Sequence, residues 1–507
     1  LKPLSDSRKF LFAAFIVLAC LHAALVGTSR LFPFTDLPNH LATATIHKHY
    51  DDPSNEFSRH YEIDLFPKPN IFHMLFCSLR LFPSVETANR IYLVIFMTLL
   101  PLASVMLARK LGGNGWTGLL SFVLLYNYSM MWGFVGFAAA IPLVLFFYYF
   151  AVICIAEERT WASWAAGALL ALLFFVHALA ALFCILLYAV YSLLDRSITR
   201  FTARMTVVIP AAVLLAAWWL LDRGSTGGAD LAGYLGDYYR GEYFGTISQR
   251  HTILWLDTYL LLGGAKGRVI GAILTLFVVA PAAAGMLSKR AQTEETLSAG
   301  KKRARIALLV CSLACFLLLP KDLPGQAILY HRFSSLALIS IVIAGSAGAT
   351  KLSRKWLPPA VIAVCIFHFL LCADFIRGFN EENKEFTEDI FPQENDAMLA
   401  GIMMSYRYRD MSAYLHFPNY YIIWKRGIAV TKIVDYRFGA VRRRVPPDIL
   451  PPYNEWIGRT GRYDGRYNRI DYLLFRGNPG TDIMKQLTAF EPVRSLSPWT
   501  LSENLAH

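Results

Sequence analysis

Charge is scarce in this chain. Only 17% of its 507 residues are Asp, Glu, Lys or Arg, against 55% hydrophobic, and the mean hydropathy is +0.41. A chain this long built as two or three soluble domains would carry more charge, so composition points to a membrane protein. Cysteine is sparse as well. Of the eight, Cys20, Cys154, Cys184, Cys311, Cys315, Cys365 and Cys372 sit in apolar runs, Cys77 lies in a loop, and the last quarter has none. No metal-ligand spacing or disulfide framework emerges, and Cys311 and Cys315, four apart, read as one packed helix face. Missing altogether are a Gly-rich phosphate loop, a kinase set, a serine elbow and an HExxH zinc motif, which argues against energy from cytoplasmic nucleotide. There is no repeat or low-complexity tract, and no pair of related halves with interrupted spans such as a transporter would show.

What is present is a series of apolar runs, at about 10–28, 91–108, 117–132, 134–156, 162–176, 178–194, 205–221, 267–287, 305–319, 333–349 and 357–374. Each approaches the roughly 20 residues needed to cross a bilayer, so the expected fold is a polytopic α-helical membrane protein with about 11 transmembrane helices. The net charge of +13 collects in short clusters between those runs and needs no nucleic-acid partner. With the N-terminus in the cytoplasm, Arg109/Lys110, Arg159, Arg196/Arg200/Arg204, Lys289/Arg290, Lys301 to Arg305 and Lys351/Arg354/Lys355 all fall on the cytoplasmic side, as the positive-inside rule requires. The first run follows Lys2, Arg8 and Lys9 without a small-residue cleavage site, and reads as a retained signal anchor.

This topology divides the chain into a transmembrane domain, 1–374, and a soluble domain, 375–507, on the outer face. Segments 29–90, 222–266 and 320–332 share that face. Segment 29–90 has short helical patterns at Leu41 to Tyr50 and Ile71 to Phe82; Phe32, Phe34, Phe57, Phe66, Phe72 and Phe76 suit either helices lying in the interface or a folded loop packed on the bundle. The tail shows a helical pattern at 394–404, strand-like runs at Tyr420–Trp424, Ile428–Val434 and Asp471–Phe475, a helix near 480–488 and a last strand at 498–502, with 442–452 as a loop. That alternation predicts a small α/β domain.

Four places on the outer face carry candidate chemistry. Asp36-Leu37-Pro38-Asn39-His40 follows the first span. A carboxylate there can act as a general base toward a hydroxyl, while Asp36 and His40, four apart, can share a proton or a metal; equally, Asp36 can cap a short helix. His47, His49, His60 and His73, with Asp51 and Asp52, crowd the same segment, leaving a divalent cation as a candidate cofactor, with His40, Asp51 and Asp52 as ligands, or simply solvated loop residues. His177, between two apolar runs, is an ionisable group at membrane depth or a neutral histidine satisfied at a helix turn. Lys321, with Tyr330-His331-Arg332, supplies donors that fit phosphate oxygens or ordinary interfacial anchors. In 222–266, Tyr234, Tyr238, Tyr239, Tyr243 and Phe244 among Asp237, Arg240 and Glu242 suit sugar or headgroup contacts, or a structured loop.

These parts, in this order, resemble the GT-C superfamily of membrane glycosyltransferases, and the likeness covers the architecture of most of the chain. The runs Trp132-Gly133-Phe134-Val135-Gly136-Phe137 and Phe174-Phe175-Val176-His177-Ala178-Leu179 are similar to span starts in bacterial members. The segments Tyr414-Leu415-His416-Phe417-Pro418-Asn419-Tyr420-Tyr421 and Asp471-Tyr472-Leu473-Leu474-Phe475-Arg476-Gly477 are similar to the outer domain of one poorly characterised branch. The resemblance implies a GT-C-like helix arrangement with a periplasmic α/β domain in a bacterial inner membrane. It also implies transfer of a sugar from a polyprenyl-phosphate carrier to an envelope acceptor. Asp36 then matches the catalytic base, assisted by His40; Arg332, with Lys321 and His331, would meet the carrier phosphate, and His177 would line the cavity. The pattern's paired acids are not beside Asp36, and Asp51-Asp52 comes late, which fits the alternative of a non-catalytic subunit that scaffolds partner proteins in a larger membrane complex.

Overall fold

The structure, a computed structural model, describes residues 2–65, 67–221, 238–243, 247, 249–250, 264–287, 299–323, 327–346, 356–435, 439–444, 449–451, 463 and 465–506. The chain forms two compact units. One comprises Leu1–Thr28, Leu93–Met130 and Val135–Asp374; the other comprises Ser29–Tyr92, Met131–Phe134 and Phe375–His507.

The first unit is helical. Among the described residues, five helices are long and apolar enough to cross a membrane: Arg8–Thr28, Val85–Lys110, Val135–Ala156, Ile198–Leu221 and Leu357–Glu382, the second and fifth crossing a unit boundary. Val135–Ala156 has no polar stripe at all, the mark of a helix surrounded by apolar material on every side. Shorter apolar helices at Thr160–Val176, Ala178–Leu193 and Leu329–Gly345, and helices Gly264–Leu287 and Ala299–Leu318, fall on four expected runs and most of a fifth. The run at 117–132 is different. It folds as Gly115–Gly118, a 3₁₀ turn Leu119–Leu124 and Tyr128–Met131. Asn127 explains the break: its side chain donates to the Leu124 carbonyl at 2.8 Å and accepts from the Met130 amide at 3.1 Å, replacing the helix ladder with local bonds. On the side expected to be cytoplasmic, Asp195 takes Arg200, Arg204 and Arg303 at 3.1, 3.0 and 2.6 Å, tying three helix ends together.

The second unit is built on a mixed sheet. Its strands are β2 Met398–Met403, β3 Ile428–Ala429, β5 Tyr472–Arg476, β6 Phe490–Leu496 and β7 Trp499–Asn504, in the order β3-β2-β5-β7-β6. The first three run parallel; β7 and β6 add antiparallel. A separate ribbon pairs β1 Tyr61–Ile63 with β4 Val441–Arg443, so the segment after the first span is hydrogen-bonded into the tail. Strand alternation sorts the core. Leu473 and Phe475 join Ile402, Ile470, Ile483, Leu487 and Phe490 on one face. Leu474 and Arg476, with their partners Leu501 and Trp499, face the other way, where Trp499 stacks on Phe417 at 5.6 Å and meets Phe386 at 4.4 Å.

The structure corrects several local expectations. The stretch 394–404 holds a strand, because Met398–Met403 is flanked on both edges and buried on both faces; a continuous apolar run of this kind looks alike as strand or helix. Tyr420–Trp424 is no strand but leads into a π-type turn, Tyr421–Lys425, ended by Arg426 at φ 58°. Ile428–Val434 keeps only the two-residue β3 before a 3₁₀ turn at Ile433–Asp435. Residues 442–443 of the expected loop belong to β4. Helices Leu37–Lys48 and Phe72–Cys77 answer to the two patterns in 29–90. Phe32, Phe34 and Phe57 are buried rather than presented to an interface, Phe72 and Phe76 are half-buried, and Phe66 lies outside the described residues.

Candidate functional site

Asp36 stands at the start of helix Leu37–Lys48, yet its side chain does not cap it. Two local causes can be named. A capping side chain accepts from the second or third amide of the helix, and Pro38 removes the second. Asp36 itself is helical, at φ −87° and ψ −2°, not in the extended conformation of a cap. The backbone is fixed from below: the Thr35 and Asp36 amides donate to the Met131 and Trp132 carbonyls, each at 3.1 Å. Gly133, at φ +80°, lies so close that a Cβ there would stand 2.4 Å from the Asp36 nitrogen. Only glycine fits.

The carboxylate instead receives His416, whose Nε2 lies 3.1 Å from Oδ1; the Asp36 side chain is 31% exposed and that of His416 7%. An ionised carboxylate only accepts, so Nε2 must carry the proton. One turn further along, buried Asn39 accepts from Asn419 Nδ2 at 2.6 Å and from Thr431 Oγ1 at 3.0 Å. His40 donates its amide to the Asp36 carbonyl, and its ring stands edge-on to His73 at 5.9 Å. His73 is buried, bonded to Asn89 at 3.0 Å. Burial, with His40 adding, pulls its pKa down to about 3.

One of the expected cation ligands is otherwise engaged. Asp52 holds Arg426 at 3.0 Å and the Ser54 amide at 3.0 Å; its bonds to Ser54 keep it below the ordinary carboxylate range. Among the described residues, His40, Asp51 and Asp52 form no three-residue group able to hold a metal.

The other expected residues belong to the helical unit. His177, extended at φ −165°, joins helices Thr160–Val176 and Ala178–Leu193. Its Nε2 lies 3.2 Å from Arg332 Nη1, while Nη2 and Nε of Arg332 donate to the Ala327 and Ile328 carbonyls at 3.1 and 3.3 Å. An arginine donates only, so His177 accepts through Nε2 as a neutral ring. Ile328 is left-handed, at φ 57°, a conformation costly for a β-branched residue; its amide is held by Asp322 Oδ1 at 2.8 Å. His331 is buried in a stack between Tyr128 at 5.0 Å and Tyr330 at 4.0 Å. Lys321 is exposed and contributes its carbonyl to Leu329.

Two residues were not singled out as site residues from the sequence. His416 is one. Arg250 is the other: fully buried, it lies 4.1 Å over the Tyr330 ring and bonds the Phe316 and Leu319 carbonyls at 2.9 Å each. Tyr243 and Tyr239 take the Leu317 and Leu318 carbonyls, so one segment satisfies the open end of helix Ala299–Leu318. That gives those tyrosines of 222–266 a structural role. Tyr234, Asp237 and Phe244 lie outside the described residues, and nothing is described of the Arg240 and Glu242 side chains.

No protein-family description matches the sequence, and no curated protein does. Among solved structures, the chain is similar to the crystal structure of the Archaeoglobus fulgidus oligosaccharyltransferase in complex with Zn and sulfate, at 12% identity and a TM-score of 0.45, over 91% of this chain and 68% of that one. A likeness at that level carries no chemistry with it.

Proposed function

We propose that the protein is a membrane glycosyltransferase that moves a sugar from a polyprenyl-phosphate carrier to an acceptor hydroxyl in the cell envelope. In this reading it crosses a bacterial inner membrane about eleven times and works at the periplasmic face, with the C-terminal domain on that side. One observation carries the proposal: a partly exposed carboxylate, Asp36, stands at a helix start without serving the helix, on a backbone clamped by residues 131–133. A carboxylate held in place, spending one oxygen on His416 and none on its own helix, can take a proton on the other.

Asp36 removes the acceptor's hydroxyl proton as that oxygen bonds to the anomeric carbon of the donor. The carbon–oxygen bond to the carrier breaks, its electron pair leaving on the phosphate. Arg332, with Lys321, stabilises the charge that develops there, and His177 orients the guanidinium through Nη1.

The test is transfer of radiolabelled sugar from a panel of polyprenyl-phosphate donors into membrane lipid or glycan. Asp36→Asn should lower transfer about 10²–10⁴-fold, the usual worth of a general base, and Arg332→Gln about 10²-fold or more. Folded wild type and Asp36→Asn behaving alike, with no transfer from either, would replace this reading with that of a scaffold subunit.

A further inference from the structure

The sequence divides at residue 374 into membrane body and tail, but the Asp36 carboxylate takes its partner from the tail. Its partner comes from 380 positions further on. The same offset separates the second contact, Asn39 with Asn419. Asp36-Leu37-Pro38-Asn39 and His416-Phe417-Pro418-Asn419 are the same pattern, an ionisable residue followed by apolar, Pro and Asn. They lie in parallel register and clasp at both ends, with Thr431 closing the Asn pair. Each is seated on a glycine: a Cβ on Gly401 would stand 2.0 Å from Pro418 Cγ, and one on Gly133 would stand 2.4 Å from the Asp36 nitrogen. His416 also holds a left-handed backbone, φ 67°, and keeps its ring almost wholly buried to reach the carboxylate. Strain and burial of this kind persist where the surroundings over-determine them.

We infer that His416 is a positioning residue for Asp36, so that the C-terminal unit completes the acid–base site instead of being appended to it. Its Nε2–H occupies Oδ1, fixes the rotamer of the carboxylate, and leaves Oδ2 to take the acceptor's proton. The inference rests on the transferase reading for its consequence, but the pair itself can be tested without any substrate.

The experiment uses full-length protein in membranes, with Asp36→Asn, His416→Ala, His416→Gln and the Asp36→Asn/His416→Ala double variant. Unfolding midpoints of the singles and the double report the pair alone. The double should fall no further than His416→Ala alone, because that change already removes the contact that Asp36→Asn, whose amide oxygen still accepts, only weakens; additive losses overturn the inference whatever transfer shows. Transfer assays with the donor panel then report the role. His416→Ala should lose about 10²-fold in kcat, the cost of a group displaced by about an ångström, with KM within about threefold of wild type. His416→Gln, whose amide can donate from nearly the same place, should recover at least tenfold of that loss. A kcat loss in His416→Ala that glutamine does not recover, or full activity of His416→Ala beside an inactive Asp36→Asn, overturns the positioning role. Coupled midpoints with no transfer from wild type overturn it too, and locate the failure in the transferase reading and not in the pair.

Discussion

Replacing Asn39 by Ala should loosen the joint between segment 29–92 and the tail, and the size of the effect can be worked from the contacts. Asn39 is buried, and its Oδ1 accepts two hydrogen bonds, from Asn419 at 2.6 Å and Thr431 at 3.0 Å. Asn419 keeps its contact to Thr431 at 3.1 Å, so its amide retains a partner. The Thr431 hydroxyl, fully buried, loses the acceptor of its proton. Two bonds at about 1 kcal/mol each, plus about 1–2 kcal/mol for a buried donor left unsatisfied, give about 3–4 kcal/mol. For a folded unit of roughly 150–250 residues each kcal/mol moves the midpoint by about 2–4 °C, so a shift of about 6–16 °C is expected. Cys77, buried in this unit while the other seven cysteines belong to the helical one, makes the assay selective: maleimide pulse labelling along a temperature ramp, read at the Cys77 peptide by mass. Thr431→Val should produce a smaller shift, and the double variant should fall short of the sum. An Asn39→Ala midpoint within about 2 °C of wild type would refute the idea that this cluster holds the two segments together.

Gly133→Ala should cost about 1–2 kcal/mol from its left-handed backbone alone and should also push the Asp36 backbone aside; transfer is expected to fall more than tenfold at a temperature where Cys77 labelling shows the unit still folded. His73 gives a pH signature. Its folded pKa of about 3 lies below the unfolded value of about 6.5, so the unfolded chain takes up a proton that the folded one refuses. Stability is therefore lost as pH falls below about 6.5, by about 1.4 kcal/mol per unit or roughly 2 kcal/mol by pH 5. His73→Gln should flatten the decline of the midpoint between pH 6.5 and 5 by that amount, while His47, His49 and His60, each lowered chiefly by burial, keep their share in both proteins. Arg250→Met should leave the Phe316 and Leu319 carbonyls without their donor and destabilise the helical unit by about 2–5 kcal/mol, seen as earlier labelling of Cys311 and Cys315.

The apolar runs were legible because a membrane-crossing helix needs only length and hydrophobicity, both local properties. Asn127 shows where that logic fails: one amide in an apolar run supplies a donor and an acceptor to its own backbone and breaks the helix without disturbing the hydropathy. The strand at Met398–Met403 was misread for a related reason, since a strand covered on both faces has no alternation to display. Asp36 was legible as a residue worth singling out, from its place after the first span. His177 and Arg332 were legible singly, but their contact was not, because it joins positions 155 residues apart. Arg250 is a single charge whose significance lies in carbonyls of a helix elsewhere in the chain, and nothing local announces it.

His416 is a different case, because a signal for it does exist in the sequence. A side chain that begins a helix is ordinarily drawn to the first free amides, and this is why a cap was a fair reading of Asp36. Proline at the second helical position removes one of those amides, and an apolar residue between leaves no competing polar side chain. The leading residue is then displaced from local bonding and must find a partner at a distance. Asp-Leu-Pro-Asn meets that condition, and so does His-Phe-Pro-Asn, where His416 likewise precedes a short helical turn without capping it. Each fragment therefore offers one ionisable group that does not cap its own helix and, three residues on, one side-chain amide. A carboxylate needs a donor, an imidazole can be one, and two amides can join each other through a shared hydroxyl. The two fragments are thus chemically complementary before any fold is known, and the fold satisfies both by laying them side by side in register.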